Sequence, residues 1–352
     1  MDAEVVVVGA GVMGLATARA LARAGRDVVL LEQFQVGHDR GSSHGGSRIF
    51  RLSYPDPQWV RLAHEALPLW RELEAEAGVT LLEQHGSLDL GDWEPNRAAL
   101  EANGIACEIL DAAEIERRFP LRVARGETGL WEPTGGIVRA DLALTALRDS
   151  ALASGALLRE GSVVTALEHE PDAVLVSCAS FSLRATTVVI TAGAWARDLL
   201  APLGLELGVV STRETVSYFL LDPESEVPSV IDPVEGREPG QLGYALIAPG
   251  VGLKAGLHHT GAVTDPDERG RPDPAHAERT AEWIARRFRG VESTGVLETC
   301  IYTNTPDESF VLQHHGRIVV GSACSGHGFK FAPVIGERLA ELASGRGLAP
   351  AA

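Results

Sequence analysis

The first apolar segment of the chain, residues 5–8, is an unbroken run of four valines. Such a β-branched run, without polar alternation, predicts a strand that is buried on both faces. An alanine-rich segment of helical character follows and runs to about Gly25, and a second apolar run, "DVVLLE", ends at Glu32. The pattern therefore predicts a strand, a helix and a second strand within the first 32 residues.

Glycines occupy the junction between the first strand and the helix. The segment "GAGVMG" sets Gly9, Gly11 and Gly14 in GxGxxG spacing. Gly9 permits a tight turn, Gly11 lets the backbone approach a pyrophosphate, and Gly14 lets the helix pack on the strand. The helix N-terminus then faces phosphates, and Glu32 can accept hydrogen bonds from a ribose. This order predicts a dinucleotide site; the acid at position 32 disfavours a 2′-phosphate but does not separate NAD from FAD.

The rest of the chain does not repeat a simple strand–helix unit. A long loop rich in glycine, serine, histidine and arginine follows Glu32, and a helix is expected over about 57–77. The segment "ATTVVITAGAWARDLL" repeats the order of strand, turn and helix, with Gly193 at the turn. Residues 206–305 are strand-rich with one helix near 275–289, and a strand, a glycine-rich loop and a helix close the chain.

These patterns predict an α/β fold in which a Rossmann-like nucleotide-binding domain is interleaved with a strand-rich α+β substrate domain. We assign the nucleotide-binding domain to residues 1–77, 137–205 and 306–352, and the substrate domain to residues 78–136 and 206–305.

Composition narrows the class of protein. Apolar residues make up 45% and charged residues 22% of the 352 positions, as in a soluble globular protein. No apolar run approaches the roughly 20 residues that span a bilayer, and the N-terminus has no basic segment of a secretory signal. The four cysteines are widely separated and show no metal-binding spacing, so we expect reduced thiols and a cytoplasmic location.

The distribution of charge points to one kind of site. The formal net charge is −17 without a basic run, which disfavours nucleic-acid binding. Among 31 basic residues only two are lysines, Lys254 and Lys330, and both lie in glycine- and histidine-rich stretches. A guanidinium replaces neither the point charge of an ammonium nor its shiftable pKa, so both lysines are candidates for a functional role. The count alone does not exclude two leftover surface lysines.

Three clusters of polar residues carry the candidate chemistry. The segment "SSHGGSRIFR" holds His44, Arg48 and Arg51, and "GLKAGLHH" holds Lys254 and His258. The third cluster combines "CIYTNTPDESF" with "CSGHGFKF" and contributes Cys300, Tyr302, Thr303, Gly326, His327 and Lys330. If these clusters meet, they form a cationic pocket suited to a carboxylate-bearing substrate. His314 and His315 have no ligand partners nearby in the sequence, so we expect surface residues and no metal.

From "VVVVGAGVMG" to "SGHGFKF", the chain resembles the monomeric sarcosine oxidase and N-methyltryptophan oxidase family of the glycine/D-amino-acid oxidase group. The motifs "CIYTNTPDESF" and "SGHGFKF" are far more specific than the glycine fingerprint. The resemblance implies FAD rather than NAD, with the flavin attached covalently through a thioether to Cys300. The expected cofactor contacts are Gly9, Gly11, Gly14, Glu32, Val164, Gly193, Cys300 and Gly328.

The resemblance also assigns the reacting groups. Arg51 and Lys330 match the pair that grips the substrate carboxylate, and Tyr302, Thr303 and Gly326 line the same site. Lys254 matches the lysine that promotes the reaction with O2, and His258 matches a histidine near the substrate amine. His44 and Arg48 match positions close to the flavin ring. Cys107, Cys178 and Cys324 are expected to be packing residues.

The implied activity is oxidation of a secondary α-amino acid, sarcosine or another N-methyl amino acid, by a monomer that yields an amine, an aldehyde and hydrogen peroxide. One departure leaves the substrate open. An aromatic residue that the family places about eleven positions before the lysine falls on Gly243 here, with Tyr244 adjacent, so the pocket wall is expected to differ. Alternatives are a cyclic or sugar-modified amino acid (proline, pipecolate, a fructosyl amino acid), or a dehydrogenase that passes electrons to a partner. A non-catalytic nucleotide-binding module is disfavoured by the convergent cations.

Overall fold

In the computed structural model, residues 1–222, 224–234 and 242–345 are described. The strands, in chain order, are β1 (Ala3–Val8), β2 (Val28–Leu31), β3 (Arg48–Phe50), β4 (Leu82–Glu83), β5 (Ser87–Leu90), β6 (Glu108–Asp111), β7 (Thr128–Glu132), β8 (Gly136–Val138), β9 (Leu157–Arg159), β10 (Val164–His169), β11 (Val174–Cys178), β12 (Ser182–Ile190), β13 (Val210–Leu220), β14 (Ser229–Pro233), β15 (Leu242–Ala248), β16 (Gly252–Leu257), β17 (Ala262–Val263), β18 (Glu292–Asn304), β19 (Val311–His315) and β20 (Ile318–Ser322). The α-helices are α1 (Val12–Arg23), α2 (Pro57–Ala77), α3 (Glu94–Ala102), α4 (Ala112–Arg118), α5 (Ala140–Ala153), α6 (Ala196–Leu200), α7 (Pro274–Arg287) and α8 (Ala332–Ala343).

The first sheet has a parallel centre with antiparallel margins. Strands β20, β12, β1, β2 and β9 run parallel in that order, while β10 and β11 extend the β12 side and β19 pairs with β20. Val5, Val6 and Val7 of β1 are fully buried, as their unbroken apolar run predicts. Helix α1 contacts α5 and α8 and is itself almost entirely buried. The glycine-rich turn therefore lies inside the fold, at the carboxyl end of a central strand.

The second sheet is mostly antiparallel. Its order is β17-β13-β16-β15-β14-β5-β7-β6, and β18 pairs with β13 along most of its length. Helix α7 packs against β13 and β16, with Trp283 buried in that interface. This sheet carries Lys254 on β16 and both Cys300 and Tyr302 on β18.

A small third sheet, β3-β8-β4, lies where the chain passes between the two larger sheets. It holds Arg48 at the start of β3, and the backbone of Ala140 donates to Gly46 just before it at 3.1 Å. Helix α2 then begins with Asp56 as its cap, which accepts a hydrogen bond from the backbone of Gln58 at 2.8 Å. The contact with Ala140 holds the end of the loop that precedes β3, and the Asp56 cap fixes the start of α2 after β3.

The predicted α/β class is confirmed, and the expected helices over 57–77 and near 275–289 are α2 and α7. Strands of the first sheet come from residues 3–31, 157–190 and 311–322, and those of the second from 87–132 and 210–304. The exact domain division stays a prediction. Among the described helices, none is long and apolar enough to cross a membrane.

Candidate active site

A cavity of about 820 Å³ runs from the glycine-rich turn after β1 to the face of the second sheet. Its volume lies in the range of cofactor and small-ligand sites. One end is lined by Gly9, Gly11, Glu32 and Val164, and the other by Arg51, Lys254, Tyr302 and Lys330. The exposed residues Asp56, Asp307 and Glu308 also line the cavity, and we call their edge the mouth.

The glycine end fits the pyrophosphate and ribose of a dinucleotide. Gly9 has a φ of 97°, and a Cβ added at Gly14 would lie 1.8 Å from the carbonyl oxygen of Gly9. Helix α1 follows its cap, Gly11, with no acidic residue in its first turn, and its first N–H, that of Val12, donates to the Ser43 hydroxyl at 3.1 Å. The positive end of the helix dipole at this turn suits an anion. The buried carboxylate of Glu32 accepts hydrogen bonds from the backbone of Ala10 at 2.7 Å and of Phe34 at 2.8 Å. Those contacts fix the carboxylate at the cavity wall.

Three further predicted cofactor residues also line the cavity. Val164 lies at the start of β10, and Gly193, with a φ of 53°, begins the short 3-10 turn before α6. Gly328 belongs to the loop between β20 and α8, and a Cβ added there would lie 1.9 Å from the carbonyl oxygen of Ala323. A side chain at position 328 would therefore clash with this backbone, and only glycine fits. Gly14 packs helix α1 against the turn, as its place in the spacing predicts, but it does not line the cavity as the expected cofactor contact would.

Two cations and a thiol meet beside the loop of residues 42–47. Arg48 donates hydrogen bonds to the carbonyls of Ser42 at 2.8 Å, His44 at 2.5 Å and Ser47 at 2.9 Å. Lys254 Nζ lies 3.4 Å from the carbonyl oxygen of Ser47. Arg48 thus fixes the backbone conformation of this loop, and both positive charges flank it.

Burial dominates the electrostatics of this region. Burial, together with the neighbouring Arg48 guanidinium, lowers the pKa of Lys254 to about 7. Burial also raises the pKa of the Cys300 thiol, although Arg48 and Lys254 act in the opposite direction. Cys300 Sγ lies 3.8 Å from the carbonyl oxygen of Ser42. A negative charge that developed here would therefore meet two cations in a medium of low dielectric.

Arg51 and Lys330 meet around the ring of Tyr54. Lys330 Nζ donates to the Tyr54 hydroxyl at 2.7 Å and to the carbonyl of His327 at 2.8 Å, while the Arg51 guanidinium lies 4.4 Å from the centre of the Tyr54 ring. Burial, with the Arg51 charge, holds the pKa of Lys330 well below its usual range, and burial raises the pKa of Tyr54 to about 12. Sequence reasoning missed Tyr54, whose only signal was its place three residues after Arg51.

A carboxylate lies behind Arg51. Asp89 Oδ1 is 3.5 Å from Arg51 Nη1, and Asp89 Oδ2 accepts hydrogen bonds from the Ser53 hydroxyl and from Asn96 Nδ2, the latter at 2.9 Å. Asp89 is buried, and its Oδ1 accepts no hydrogen bond. This residue, on β5 of the second sheet, was also absent from the sequence prediction, because its partners come from α3 and from the loop between β3 and α2.

His258, Tyr302 and Gly326 converge at the same end of the cavity. A Cβ added at Gly326 would lie 2.3 Å from Tyr302 Cε2 and 2.5 Å from His258 Cε1, so both rings close over the glycine. Burial and the neighbouring histidines hold the pKa of His258 well below its usual range. A neutral imidazole therefore faces the space between the cations and Tyr302.

Besides Gly14, two predicted site residues do not line the cavity. His44 turns its Nε2 to the carbonyl oxygen of Thr299 at 3.0 Å, and burial lowers its pKa to about 4. Thr303 is buried on the other face of β18, because Cys300 and Tyr302 take the positions of the strand that face the cavity. Thr303 therefore does not line the site as we expected, and the place of His44 close to the flavin ring stays a prediction.

The altered wall expected at Gly243 was also wrong. A Cβ added at Gly243 would lie 2.8 Å from Trp283 Cε2, so this position faces α7 rather than the cavity. Tyr244 is the neighbour that lines the cavity, and its hydroxyl would lie 2.6 Å from a Cβ added at Gly256. Side chains alternate between the two faces of a strand. An alignment that is wrong by one position therefore assigns a residue that packs against the helix to the cavity wall.

The other three cysteines and the pair His314 and His315 lie in different surroundings. Cys324 lines the cavity and accepts a hydrogen bond from the backbone of Thr303 at 3.4 Å, so it is more than the packing residue that we expected. Cys107 and Cys178 are half-buried and pack against the apolar cores. His314 is exposed on β19, and His315 Nε2 lies 3.1 Å from the side chain of Gln313.

Comparison with known proteins agrees with this geometry. A model of FAD-dependent oxidoreductases matches residues 4–342. Human peroxisomal sarcosine oxidase is 38% identical, over 96% of this chain and 91% of that protein. Monomeric sarcosine oxidase of Streptomyces avermitilis is 34% identical, over 97% of this chain and 93% of that protein. The solved structure of NikD, an amino acid oxidase of nikkomycin biosynthesis, superposes with a TM-score of 0.88 at 32% identity, covering 97% of this chain and 93% of NikD.

Proposed function

The chain belongs to the FAD-dependent oxidoreductases and is related to the sarcosine oxidases among them, and we propose that it oxidises a secondary α-amino acid. Sarcosine or another N-methyl amino acid is the proposed substrate. Oxidation at the N-methyl carbon, with O2 as the electron acceptor and water as the second reactant, gives a primary amine, formaldehyde and hydrogen peroxide. The observation that carries the proposal is the pair of cations, Arg51 and Lys330, around one buried tyrosine ring.

This pair is suited to an amino-acid carboxylate. The hydrogen bonds of Lys330 go to a hydroxyl and a carbonyl, both neutral, although the ammonium is buried. A buried cation is costly without a counter-charge, so an arriving carboxylate would restore the charge balance that burial removes. The planar guanidinium of Arg51 adds directional hydrogen bonds, and together the two groups fix the orientation of the substrate.

The groups next to this anchor suit a secondary amine. His258, with its depressed pKa, is a neutral base at physiological pH and can accept a proton from the substrate ammonium. Val216, Leu242 and Leu246 give the cavity an apolar wall on the second sheet, which favours an uncharged substituent on nitrogen. Because Tyr244 fills part of the same wall, small N-substituents and compact rings such as those of proline and pipecolate fit the proposal better than a fructosyl group.

The proposed cofactor, FAD, would occupy the length of the cavity. Gly9, Gly11 and the N-terminus of α1 would hold its pyrophosphate, Glu32 its ribose, and Val164, Gly193 and Gly328 the adjoining walls. When bound, FAD supplies the two-electron acceptor that the amine oxidation needs. We propose that the Cys300 thiol carries the flavin covalently, since Arg48 and Lys254 would stabilise the thiolate that such a bond requires.

Lys254 is proposed to assist the reaction with O2. A buried ammonium at the 42–47 loop supplies positive charge in a site of low dielectric, where negative charge develops on oxygen. Arg48 holds the loop and adds to the field, while His44 lies behind the loop against β18 and does not reach the cavity.

Three broader expectations remain proposals. A monomer is supported by the relative of that description in Streptomyces avermitilis. The cytoplasmic location stays a prediction, since another relative is named as peroxisomal. The division into a nucleotide-binding and a substrate domain is likewise proposed, on the basis of the two large sheets.

A peroxide assay of the purified protein tests the function. Sarcosine, other N-methyl amino acids, proline, pipecolate and fructosyl glycine are compared, and peroxide formation with an N-methyl or cyclic secondary amino acid is expected. Lys330→Met should raise KM about 10- to 100-fold, since the lost contact is a charged hydrogen bond. Arg338→Met, which removes an exposed pair with Glu65, is the control and should leave KM unchanged. Flavin bleaching without peroxide would instead indicate a dehydrogenase.

A further inference from the structure

Two adjacent histidines turn their rings to the same side at the edge of the site. Neighbouring residues of an extended strand point to opposite faces. His259, which follows β16, has a φ of 54°, and this left-handed conformation brings its ring to 4.0 Å from that of His258, measured between centroids. Both rings pack against Tyr302, at 5.5 and 5.8 Å between centroids.

Glu308 completes the cluster from the turn between β18 and β19. Its Oε1 lies 3.6 Å from His259 Nε2, and one potential ligand atom from each of His258, His259 and Glu308 lies within 4.8 Å of the other two. His259 Nε2 is buried and makes no hydrogen bond. An imidazole nitrogen without a partner is thus directed at a carboxylate, at a distance too long for a direct bond.

Backbone strain is concentrated at the same place. In residues 1–222, 224–234 and 242–345, the non-glycine residues with positive φ are His259, Glu308 and Ser325. Two of them belong to the cluster. Ser325 precedes Gly326, and its hydroxyl accepts a hydrogen bond from the backbone of Thr305 in the turn that carries Glu308, at 3.3 Å. Such conformations persist where the surroundings impose them, typically at functional sites.

We propose that His258, His259 and Glu308 form a reversible binding site for a divalent transition-metal ion, Zn²⁺ above all, and that the bound ion excludes substrate from the cavity. Two imidazoles and one carboxylate are a zinc ligand set, whereas Ca²⁺ and Mg²⁺ prefer oxygen ligands alone. Zinc bonds of about 2.1 Å in a tetrahedron set ligand atoms about 3.4 Å apart. The exposed Glu308 side chain can move inward by the small distance required.

Exclusion of substrate follows from the position of the cluster. His258 and Glu308 both line the cavity, and His258 is in contact range of Gly326 and Tyr302. An ion held there binds the imidazole that the proposed function assigns to the substrate amine, so this part rests on that function. The site would therefore make the oxidase sensitive to free zinc.

Calorimetric titration of the holoenzyme with Zn²⁺ tests the site without using activity. Binding of one equivalent is expected. His259→Asn removes the ligand while keeping a residue that tolerates positive φ, and Glu308→Gln removes the charge at nearly constant shape. Each should weaken Zn²⁺ binding at least about tenfold. His315→Ala, which breaks the other adjacent histidine pair on β19, is the matched control and should not change binding.

Two further readouts sharpen the test. Co²⁺ should give the intense visible d–d bands of a four-coordinate ion, and Glu308→Gln should abolish them. In steady-state assays Zn²⁺ should raise KM without lowering kcat, and less so in Glu308→Gln. Absence of saturable Zn²⁺ binding, or binding that survives both substitutions, overturns the site, and bound Zn²⁺ that leaves KM unchanged overturns the exclusion of substrate. Because calorimetry needs no turnover, a wrong assignment of the oxidised substrate would leave the metal test intact.

Discussion

At the residue scale, the cost of burying positive charge organises the site. Lys254 and Lys330 are both buried in a protein whose formal net charge is −17. Removal from water disfavours each ammonium, and each lies near a guanidinium, so both pKa values fall. An anion bound in the cavity, as proposed above, would offset the cost of burying these charges.

The burial of Lys254 predicts a pH-dependent stability for the flavin-free protein. The lysine has a pKa of 10.5 when exposed and about 7 in the fold. Between those values the unfolded chain binds the extra proton, so stability rises with pH by up to about 1.4 kcal/mol per pH unit. Lys254→Met removes this contribution. The variant should therefore be the more stable protein near pH 7.5, and its lead in free energy of unfolding over the wild type should shrink by about 2–3 kcal/mol by about pH 9.5. Denaturant titrations at both pH values measure this difference, and a constant difference would contradict the assignment.

Cys300 makes a chemical prediction that needs no kinetics. If its thiol carries the flavin, wild-type protein denatured in acid should retain its yellow colour on the polypeptide. Cys300→Ala should release the flavin under the same treatment. Cys324→Ala is the matched control, since that thiol lines the same cavity and should leave the attachment intact. Release of flavin from the wild type would show that binding is non-covalent.

Asp89 is predicted to compete with substrate for Arg51. Its carboxylate lies 3.5 Å from the guanidinium and is buried, so it partly neutralises the charge that substrate would meet. Asp89→Asn should lower the stability of the free protein, because a buried ion pair loses one partner. The same change should tighten binding of a simple carboxylate, such as acetate, several-fold. Titration of the flavin absorbance measures this affinity, and weaker binding would assign Asp89 a purely orienting role.

At the element scale, alternation along β15 decides which side chains reach the cavity. Tyr244 faces the cavity and Gly243 faces Trp283 of α7. Tyr244→Phe should therefore change substrate KM with little effect on stability. Gly243→Ala should lower the thermal midpoint, since its Cβ would lie 2.8 Å from a buried ring, and should leave the KM of the remaining folded protein unchanged. If Gly243→Ala changed KM and Tyr244→Phe changed stability, β15 would have to be shifted by one residue, with Gly243 facing the cavity.

Local sequence patterns predicted the start of the first sheet better than they predicted the second sheet. The unit β1–α1–β2 was predictable because its strand, glycines and helix are contiguous and the valine run is buried as its pattern requires. Strand order in the second sheet was not predictable, because it depends on distant pairs such as Ser229 with Ser87. For the same reason Tyr54 and Asp89 escaped notice, whereas Lys254 and Lys330 stood out by their rarity.

At the scale of the whole molecule, a protein with a formal net charge of −17 gathers cations at one end of its cavity. The mouth carries Asp56, Asp307 and Glu308, whereas Arg51 and Lys330 lie deeper. The acidic mouth should therefore repel a ligand with a net negative charge before the deeper cations attract it. A zwitterion has no net charge, so its approach should depend little on this field. Stopped-flow measurements should show acetate associating faster as salt rises to about 0.15 M, with the zwitterionic substrate nearly unaffected. Slower association of acetate with salt would mean that the buried cations dominate the approach.

The scarcity and burial of lysine have a practical consequence. A lysine-specific protease has two sites in this sequence, after Lys254 and Lys330, and the fold covers both side chains. Cleavage should therefore require the chain to open, and it should yield three fragments whose boundaries are known in advance. Limited digestion would then report when the cavity walls open. Amine-reactive labels too large to enter the cavity should modify only the α-amino group of the folded protein.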